Sequence, residues 1–291
     1  MEKERIIGVS GGLFSVETPE GTVQASSRGV FRQKGIKPVT GDFVLLKREE
    51  NSMPVISEVL ERKNVIIRPP LANLDMVILV VSSCEPAPNA FVLDKLTAVF
   101  ESKGIETVFV FTKIDRRAAE DFGEIYGGIG YKTFMADNVS GKGTEEVAAY
   151  IHGKTAALIG NSGVGKSSLM NYLVPDIEHK TSEISQKLGR GKHTTREVRL
   201  YKSGENTYIA DTPGFSTVEV SKYAAIPSKE VADCFREIAP HTEKCRFKDC
   251  AHVKETDCAV RAALEAGKIA QSRYDSYCKI YEEAVKKEHE Y

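Results

Sequence analysis

Gly160-Asn161-Ser162-Gly163-Val164-Gly165-Lys166-Ser167 reads G-x-x-x-x-G-K-S, and it sits where that pattern carries meaning. An apolar run, Ala156-Ala157-Leu158-Ile159, precedes it, and a helical stretch, Ser168-Leu169-Met170-Asn171-Tyr172-Leu173, follows. Strand, glycine loop and helix together make a phosphate cradle. The glycines let backbone N–H groups converge on phosphate oxygens, and the helix N-terminus adds a favourable dipole. Lys166 is expected at the β- and γ-phosphates and Ser167 on Mg²⁺. Gly160, Asn161, Ser162, Gly163, Val164, Gly165 and Ser168 are expected around the same nucleotide.

Downstream, Asp211-Thr212-Pro213-Gly214 follows the strand-like Tyr208-Ile209-Ala210. A D-x-x-G at that place brings a carboxylate, Asp211, to the Mg²⁺ shell and the Gly214 N–H to the γ-phosphate. Between the two motifs lies a basic, glycine-rich stretch, Gln186 to Arg196. Such a stretch suits a loop ordered by γ-phosphate and Mg²⁺. Thr195, or alternatively Thr194, would complete the metal shell.

Upstream, Thr112-Lys113-Ile114-Asp115 closes the strand Val108-Phe109-Val110-Phe111. It matches the [NT]KxD pattern that reads guanine. Asp115 would accept hydrogen bonds from guanine N1 and N2, which adenine does not offer, while the Lys113 stem packs on the ring. In ordinary GTPases this motif comes last. Here it precedes the phosphate loop, so the order is a circular permutation, closed by a short connection near Lys142 to Lys154.

The rest of the chain has a different rhythm. Five short β-rich runs, from Ile6 to Val59, are punctuated by glycine and proline and read as a small barrel of the OB type, with an SH3-like barrel as the alternative. Arg68-Pro69-Pro70 reads as a linker. From residue 71 strands and helices alternate, the mark of an α/β domain with a largely parallel sheet. Beyond about residue 218 the strands stop. Val231, Cys234, Phe235 and Ile238 form one helical stripe, and Tyr274, Tyr277, Cys278, Tyr281 and Val285 another. The expected division is a barrel over 1–68, a permuted GTPase domain over 69–218 and a helical domain over 219–291.

Between those stripes Cys245, Cys250, His252 and Cys258 read C-x4-C-x-H-x5-C. Three thiolates and an imidazole make a closed four-ligand set, so one structural Zn²⁺ is expected and a catalytic metal is not. Cys84, Cys234 and Cys278 read as core thiols, and His241 as a decoy near the ligands.

Composition bounds the rest. The chain has 291 residues, 41% hydrophobic and 28% charged, with a formal charge of −1. That excludes disorder as the main state and a polycation as the whole molecule. No apolar run is long enough to cross a membrane as a helix, and the charged N-terminus is unlike a secretion signal. A cytoplasmic, membrane-free monomer is expected, with cysteines reduced.

The barrel, TKID, GNSGVGKSS, the GKHTTR loop, DTPGF and the cysteine–histidine cluster together resemble the circularly permuted ribosome small subunit-dependent GTPases of bacteria. The resemblance covers nearly the whole chain. It implies an OB-fold, a permuted GTPase domain and a zinc-binding helical domain. It also implies late maturation of the small ribosomal subunit, with slow hydrolysis stimulated by that subunit. One segment departs. Where the family carries a Ser-Ala-like pair to meet guanine O6, this chain has Met135-Ala136-Asp137, leaving the Ala136 backbone N–H for that contact.

Many GTPases orient the attacking water with a glutamine directly after D-x-x-G. Phe215 stands there. His193 is the nearest candidate by sequence for that work. For RNA, Lys180 to Lys202 holds seven basic residues against Glu183 and Glu197, the barrel adds Arg28, Arg32, Lys34 and Lys37, and Arg246, Lys248 and Lys254 fringe the cysteine loop. The reading is a GTPase whose GTP or GDP state governs docking on the small ribosomal subunit and its rRNA, with the segment after Gly214 setting the angle of the C-terminal domain. The rivals are an RNA chaperone or scaffold with little catalysis, and a P-loop ATPase or kinase.

Overall fold

The computed structural model describes residues 2–27, 31, 35–115, 120–137, 139–175, 177, 198–212 and 226–290. Five strands of the central sheet run parallel in the order β10-β9-β8-β11-β13. They are β8 (Met76–Ser82), β9 (Glu106–Thr112), β10 (Lys132–Ala136), β11 (Thr155–Ile159) and β13 (Thr207–Asp211). β12 (Arg199–Gly204) lies antiparallel on β13. Every residue of β8 and of β11 is buried. That is why these strands read as unbroken apolar runs: a parallel strand is covered on both faces. Alternate residues feed two cores. Val77, Leu79 and Val81 face one and Met76, Ile78 and Val80 the other.

The N-terminal strands are β1 (Glu4–Ser10), β2 (Leu13–Thr18), β3 (Gly21–Ser27), β4 (Phe43–Lys47) and β5 (Val55–Val59). They pair in the order β1-β2-β3-β5-β4, and β4 returns to β1 through Glu4↔Val44 and Arg5↔Phe43. The ring is a five-stranded Greek-key barrel of the OB type. Its interior holds Ile6, Phe14, Val16, Ala25, Val44, Leu46 and Ile56.

The barrel is not a separate bead. β1 also pairs with β12 at Gly8↔Arg199, so barrel and central sheet form one eleven-stranded sheet. Thr40 Oγ1 donates to the Val198 carbonyl at 3.0 Å, and the Arg5 guanidinium lies between the rings of Phe43 and Tyr208.

Three sequence expectations are corrected. Arg68-Pro69-Pro70 is no free linker but part of the turn between β6 (Val65–Ile66) and β7 (Leu71–Ala72). Asn64 closes the hairpin by exchanging side-chain hydrogen bonds with the Leu74 backbone at 2.8 and 3.0 Å, and Leu71, Ala72 and Leu74 are fully buried. The first C-terminal stripe is not one α-helix. It is two 3₁₀ turns, Ser228–Glu230 and Ala232–Cys234, followed by a one-turn helix, Ala239–Thr242, with Pro240 in its first turn. A spacing of three serves a 3₁₀ turn as well as an α-helix, so Val231, Cys234, Phe235 and Ile238 still point inward. Of the cysteines read as core thiols, Cys234 is buried, while Cys84 and Cys278 are only half-buried. Cys84 lies past the end of β8, where backbone leaves the sheet.

The C-terminal region also joins the main core. A long helix, Gln271–His289, packs on Ala90–Glu101, the helix after β8. Val231, Phe235, Val260, Tyr277 and Ile280 share one cluster with Leu93, Leu96 and Phe109. Its seat is therefore set by this packing. Among the described residues no helix is long and apolar enough to cross a membrane.

Candidate functional site

Ser82, Thr112, Ala136, Ile159 and Asp211 are the last residues of the five parallel strands. All therefore lie at one edge of the sheet. The chain leaves β8 and β11, adjacent strands, toward opposite sides of the sheet. Such a switch point at the carboxyl ends is where open α/β sheets bind ligands. Motifs up to 100 residues apart in sequence thus meet at one place.

The phosphate loop runs from Gly160 into the helix Lys166–Leu173. Gly160 must lack a side chain, because a Cβ there would stand 2.5 Å from the Val80 carbonyl oxygen. Gly165 caps the helix with φ +95°, a left-handed conformation that glycine adopts without strain. Leu169, Met170 and Leu173 bury the helix's inner face, leaving Ser167 and Ser168 exposed at its start. Lys166 Nζ lies back across the loop and donates to the carbonyls of Gly160 at 2.7 Å and Asn161 at 2.6 Å. Burial lowers the Lys166 pKa, opposed by the charge of Asp211. Burial raises that of Asp211, opposed by Lys166. An ammonium and a carboxylate, each poorly solvated, face the same loop. Thr212 is buried and donates to the Leu158 carbonyl at 2.6 Å, pinning the end of β13 to β11.

Thr112 is fully buried, and its hydroxyl donates to the Val164 carbonyl at 2.6 Å. The TKID segment is thereby fastened to the phosphate loop. Lys113 has φ 58° and Asp115 is exposed beyond it. Ala136 is buried at the end of β10. The next residue, Asp137, is an anchor: its carboxylate accepts from Val139 N at 2.9 Å and Ser140 N at 3.2 Å, and from the Ser140 hydroxyl. Those bonds lower the Asp137 pKa.

Cys245, Cys250, His252 and Cys258 bring their ligand atoms within 4.8 Å of one another. Cys245 Sγ is 3.8 Å from Cys258 Sγ, and His252 Nδ1 is 3.4 and 3.5 Å from those two sulfurs. This Cys3His set could hold a metal ion. Glu255 shapes the loop by accepting from the backbone N–H groups of Ala251, Val253 and Lys254. Tyr274 and Tyr277 hold it to the long helix through the carbonyls of His252 and Ala251, each at 2.7 Å. His241 stands outside the cluster.

The description "RsgA GTPase" matches residues 59–221, and "RsgA N-terminal domain" matches residues 3–56. The chain belongs to the RsgA GTPase family. A relative from Caldanaerobacter subterraneus subsp. tengcongensis, "Small ribosomal subunit biogenesis GTPase RsgA", is 40% identical over 98% of this chain and 96% of its own. One of the same name from Bacillus cytotoxicus is 38% identical over 97% of each. Among solved structures, YjeQ from Thermotoga maritima superposes with a TM-score of 0.80 at 34% identity, covering 97% of this chain and 98% of that one. "YloQ, a circularly permuted GTPase" superposes at 0.78 and 29% identity, covering 99% and 96%. As an RsgA GTPase, the chain is a GTP-hydrolysing enzyme with a permuted G domain behind an OB-type barrel.

Within this RsgA member the structure brings together the phosphate loop, Thr112, Lys113, Asp115, Ala136 and Asp211. His193, Thr194, Thr195 and Gly214 lie outside the described residues, as do Phe215, Arg28, Arg32 and Lys34. Sequence reasoning missed Asp137, Glu255, Tyr274 and Tyr277 as holders of loops. It also missed Ser83, just past the end of β8. The position of Ser83, at the carboxyl end of a parallel strand, is the signal that could have found it.

Proposed function

We propose that this protein is a GTP-dependent factor in late maturation of the small ribosomal subunit. It would bind that subunit and its rRNA in one nucleotide state and leave in the other. The relatives' names carry the ribosomal part. The convergence of phosphate, base and Mg²⁺ groups at one sheet edge supports the chemistry.

In this reading Lys166 exchanges the neutral carbonyls of Gly160 and Asn161 for the β- and γ-phosphate oxygens, a charge-assisted gain. The N–H groups of Gly160 to Gly165, with Ser168, cradle the same phosphates. Asp115 and the Lys113 stem read guanine, and the backbone at Ala136 meets O6. A serine hydroxyl at a helix start and a carboxylate that burial makes costly to ionise fit a hard divalent cation. Ser167 and Asp211 would hold Mg²⁺, with Thr195 or Thr194 completing the set. Held by these groups, Mg²⁺ would supply charge neutralisation at the phosphate oxygens. Water attacks the γ-phosphorus, the bond to the bridging oxygen of GDP breaks, and phosphate leaves. Gly214 N–H would stabilise the γ-oxygens and His193 would orient the water.

The cysteine cluster fits Zn²⁺. A tetrahedral site with the usual Zn–S and Zn–N bonds puts two sulfurs about 3.8 Å apart, and sulfur and nitrogen about 3.6 Å apart. The separations among Cys245, His252 and Cys258, 3.8, 3.4 and 3.5 Å, with Cys250 Sγ within 4.8 Å of the others, support that ion. We assign the chain three functional parts: barrel 1–68, permuted GTPase domain 69–218 and zinc-binding helical part 219–291. It acts as a cytoplasmic monomer.

The test is GTP turnover with and without purified small ribosomal subunits, with ATP as control. Large stimulation confined to GTP and the small subunit is expected. Equal turnover in both arms would refute the ribosomal reading.

A further inference from the structure

The segment that follows β8 clasps the TKID loop. Ser83 N donates to the Thr112 carbonyl at 3.0 Å, carrying the β8–β9 ladder one step past Ser82↔Thr112. Ser83 Oγ donates to the Lys113 carbonyl at 2.9 Å. Lys113 Nζ returns to the carbonyl of Glu85. The clasp is itself braced, because Ser82 Oγ donates to the Glu85 carbonyl at 3.1 Å and accepts from Cys84 N at 3.3 Å. Lys113 needs such a clasp. It holds φ 58°, a left-handed conformation unfavourable for a lysine. A peptide in that state relaxes unless its surroundings over-determine it. The Lys113 carbonyl belongs to the peptide that leads toward Ile114 and Asp115. Its orientation therefore fixes how the chain enters Ile114 and Asp115.

We infer that Ser83 is a positioning residue for base selectivity, acting through the Lys113 peptide to aim Asp115 at the guanine edge. The inference rests on the reading of Asp115 as the guanine-contacting group. Ser83 acts only through Lys113 and not by direct contact with the base. Its hydroxyl fixes the carbonyl of Lys113, two residues before the one that does the reading. The feature of guanine that depends on aim is the pair N1–H and exocyclic 2-amino group. Hypoxanthine keeps the first and lacks the second. A misaimed carboxylate loses the advantage of the 2-amino group while phosphate binding is untouched.

The experiment compares GDP with IDP. Affinities for both are measured on the full chain, wild type against Ser83→Ala and Ser83→Thr, together with KM and kcat for GTP. Ser83→Ala is expected to shrink the GDP-to-IDP affinity ratio by about fivefold, the scale of one neutral hydrogen bond. KM for GTP rises, kcat stays level, and Ser83→Thr restores the ratio. A merely structural loss lowers the active fraction and leaves the ratio unchanged. If Ser83→Ala does not fold, Ser83→Cys, with a weak donor of similar size, carries the same comparison. Asp115→Asn separates the two readings. A shift of that variant toward xanthosine diphosphate, with an unchanged ratio in Ser83→Ala, overturns the role of Ser83 alone. No shift in Asp115→Asn overturns the guanine reading and this inference with it.

Discussion

Arg273 and Asp94 form an ion pair of 2.7 Å across 179 residues of sequence, with both side chains 1% exposed. The pair ties the long C-terminal helix to the helix after β8. Tyr126 OH donates to the same Asp94 oxygen at 2.7 Å, Glu237 takes the Arg273 Nε–H at 2.6 Å, and the guanidinium lies 4.6 Å from the Phe235 ring centre. Burial works against the Arg273 charge, but Asp94 and Glu237 outweigh it and hold the guanidinium protonated. Removing one partner leaves a buried charge alone. Arg273→Met is expected to destabilise the fold by about 3–5 kcal/mol, and Arg273→Lys to recover little of it, because one ammonium cannot replace the fork. Urea unfolding midpoints of the two variants check this.

Thr112→Val keeps the shape of the side chain and removes its donor. The Val164 carbonyl then loses its partner inside the protein. A loss of about 1–3 kcal/mol is expected, felt both in stability and in GDP affinity, since the phosphate loop and base loop are no longer fastened together. Thr112→Ser should restore most of both. Thermal melts with and without GDP are the measurement. Equal affinities in wild type and Thr112→Val would contradict the fastening.

Gly160→Ala meets backbone, not a flexible side chain. The added Cβ would approach the Val80 oxygen to 2.5 Å and Val164 Cγ2 to 3.0 Å. The loop must move away from β8, at a cost of about 1–3 kcal/mol for overpacking. Nucleotide affinity should fall more than stability does, because the moved atoms are those that cradle phosphate. Isothermal titration with GDP beside a melting curve separates the two effects.

Metal removal should be felt beyond the cysteine loop. Tyr274 and Tyr277 join that loop to the long helix, and the helix shares the main core. A chelator, or Cys258→Ala, is therefore expected to lower the melting temperature of the whole chain. Native mass spectrometry should show one zinc per chain, lost in the variant. A fully folded, metal-free wild type would exclude the zinc assignment.

The local devices were written in the sequence. A G-x-x-x-x-G-K-S between an apolar run and a helix, a T-K-x-D after a strand, a D-x-x-G after another and a C-x4-C-x-H-x5-C each depend on residues within one turn or loop. Their chemistry survives any order along the chain. The permuted order did not hide the site, because a parallel sheet brings the carboxyl ends of its strands to one edge regardless of which strand comes first. The tertiary structure alone decided how the parts are joined. Gly8 pairs with Arg199, Arg273 meets Asp94 and Ser83 holds the Lys113 carbonyl. Such contacts link segments whose separation carries no periodic signal, so a lone glycine, arginine or serine looks the same in the sequence with or without its partner. The stripe at Val231 to Ile238 shows the same limit at short range. The spacing fixed which side chains are buried, while the extended Phe235 backbone and Pro240 decided that 3₁₀ turns and a new one-turn helix would carry them.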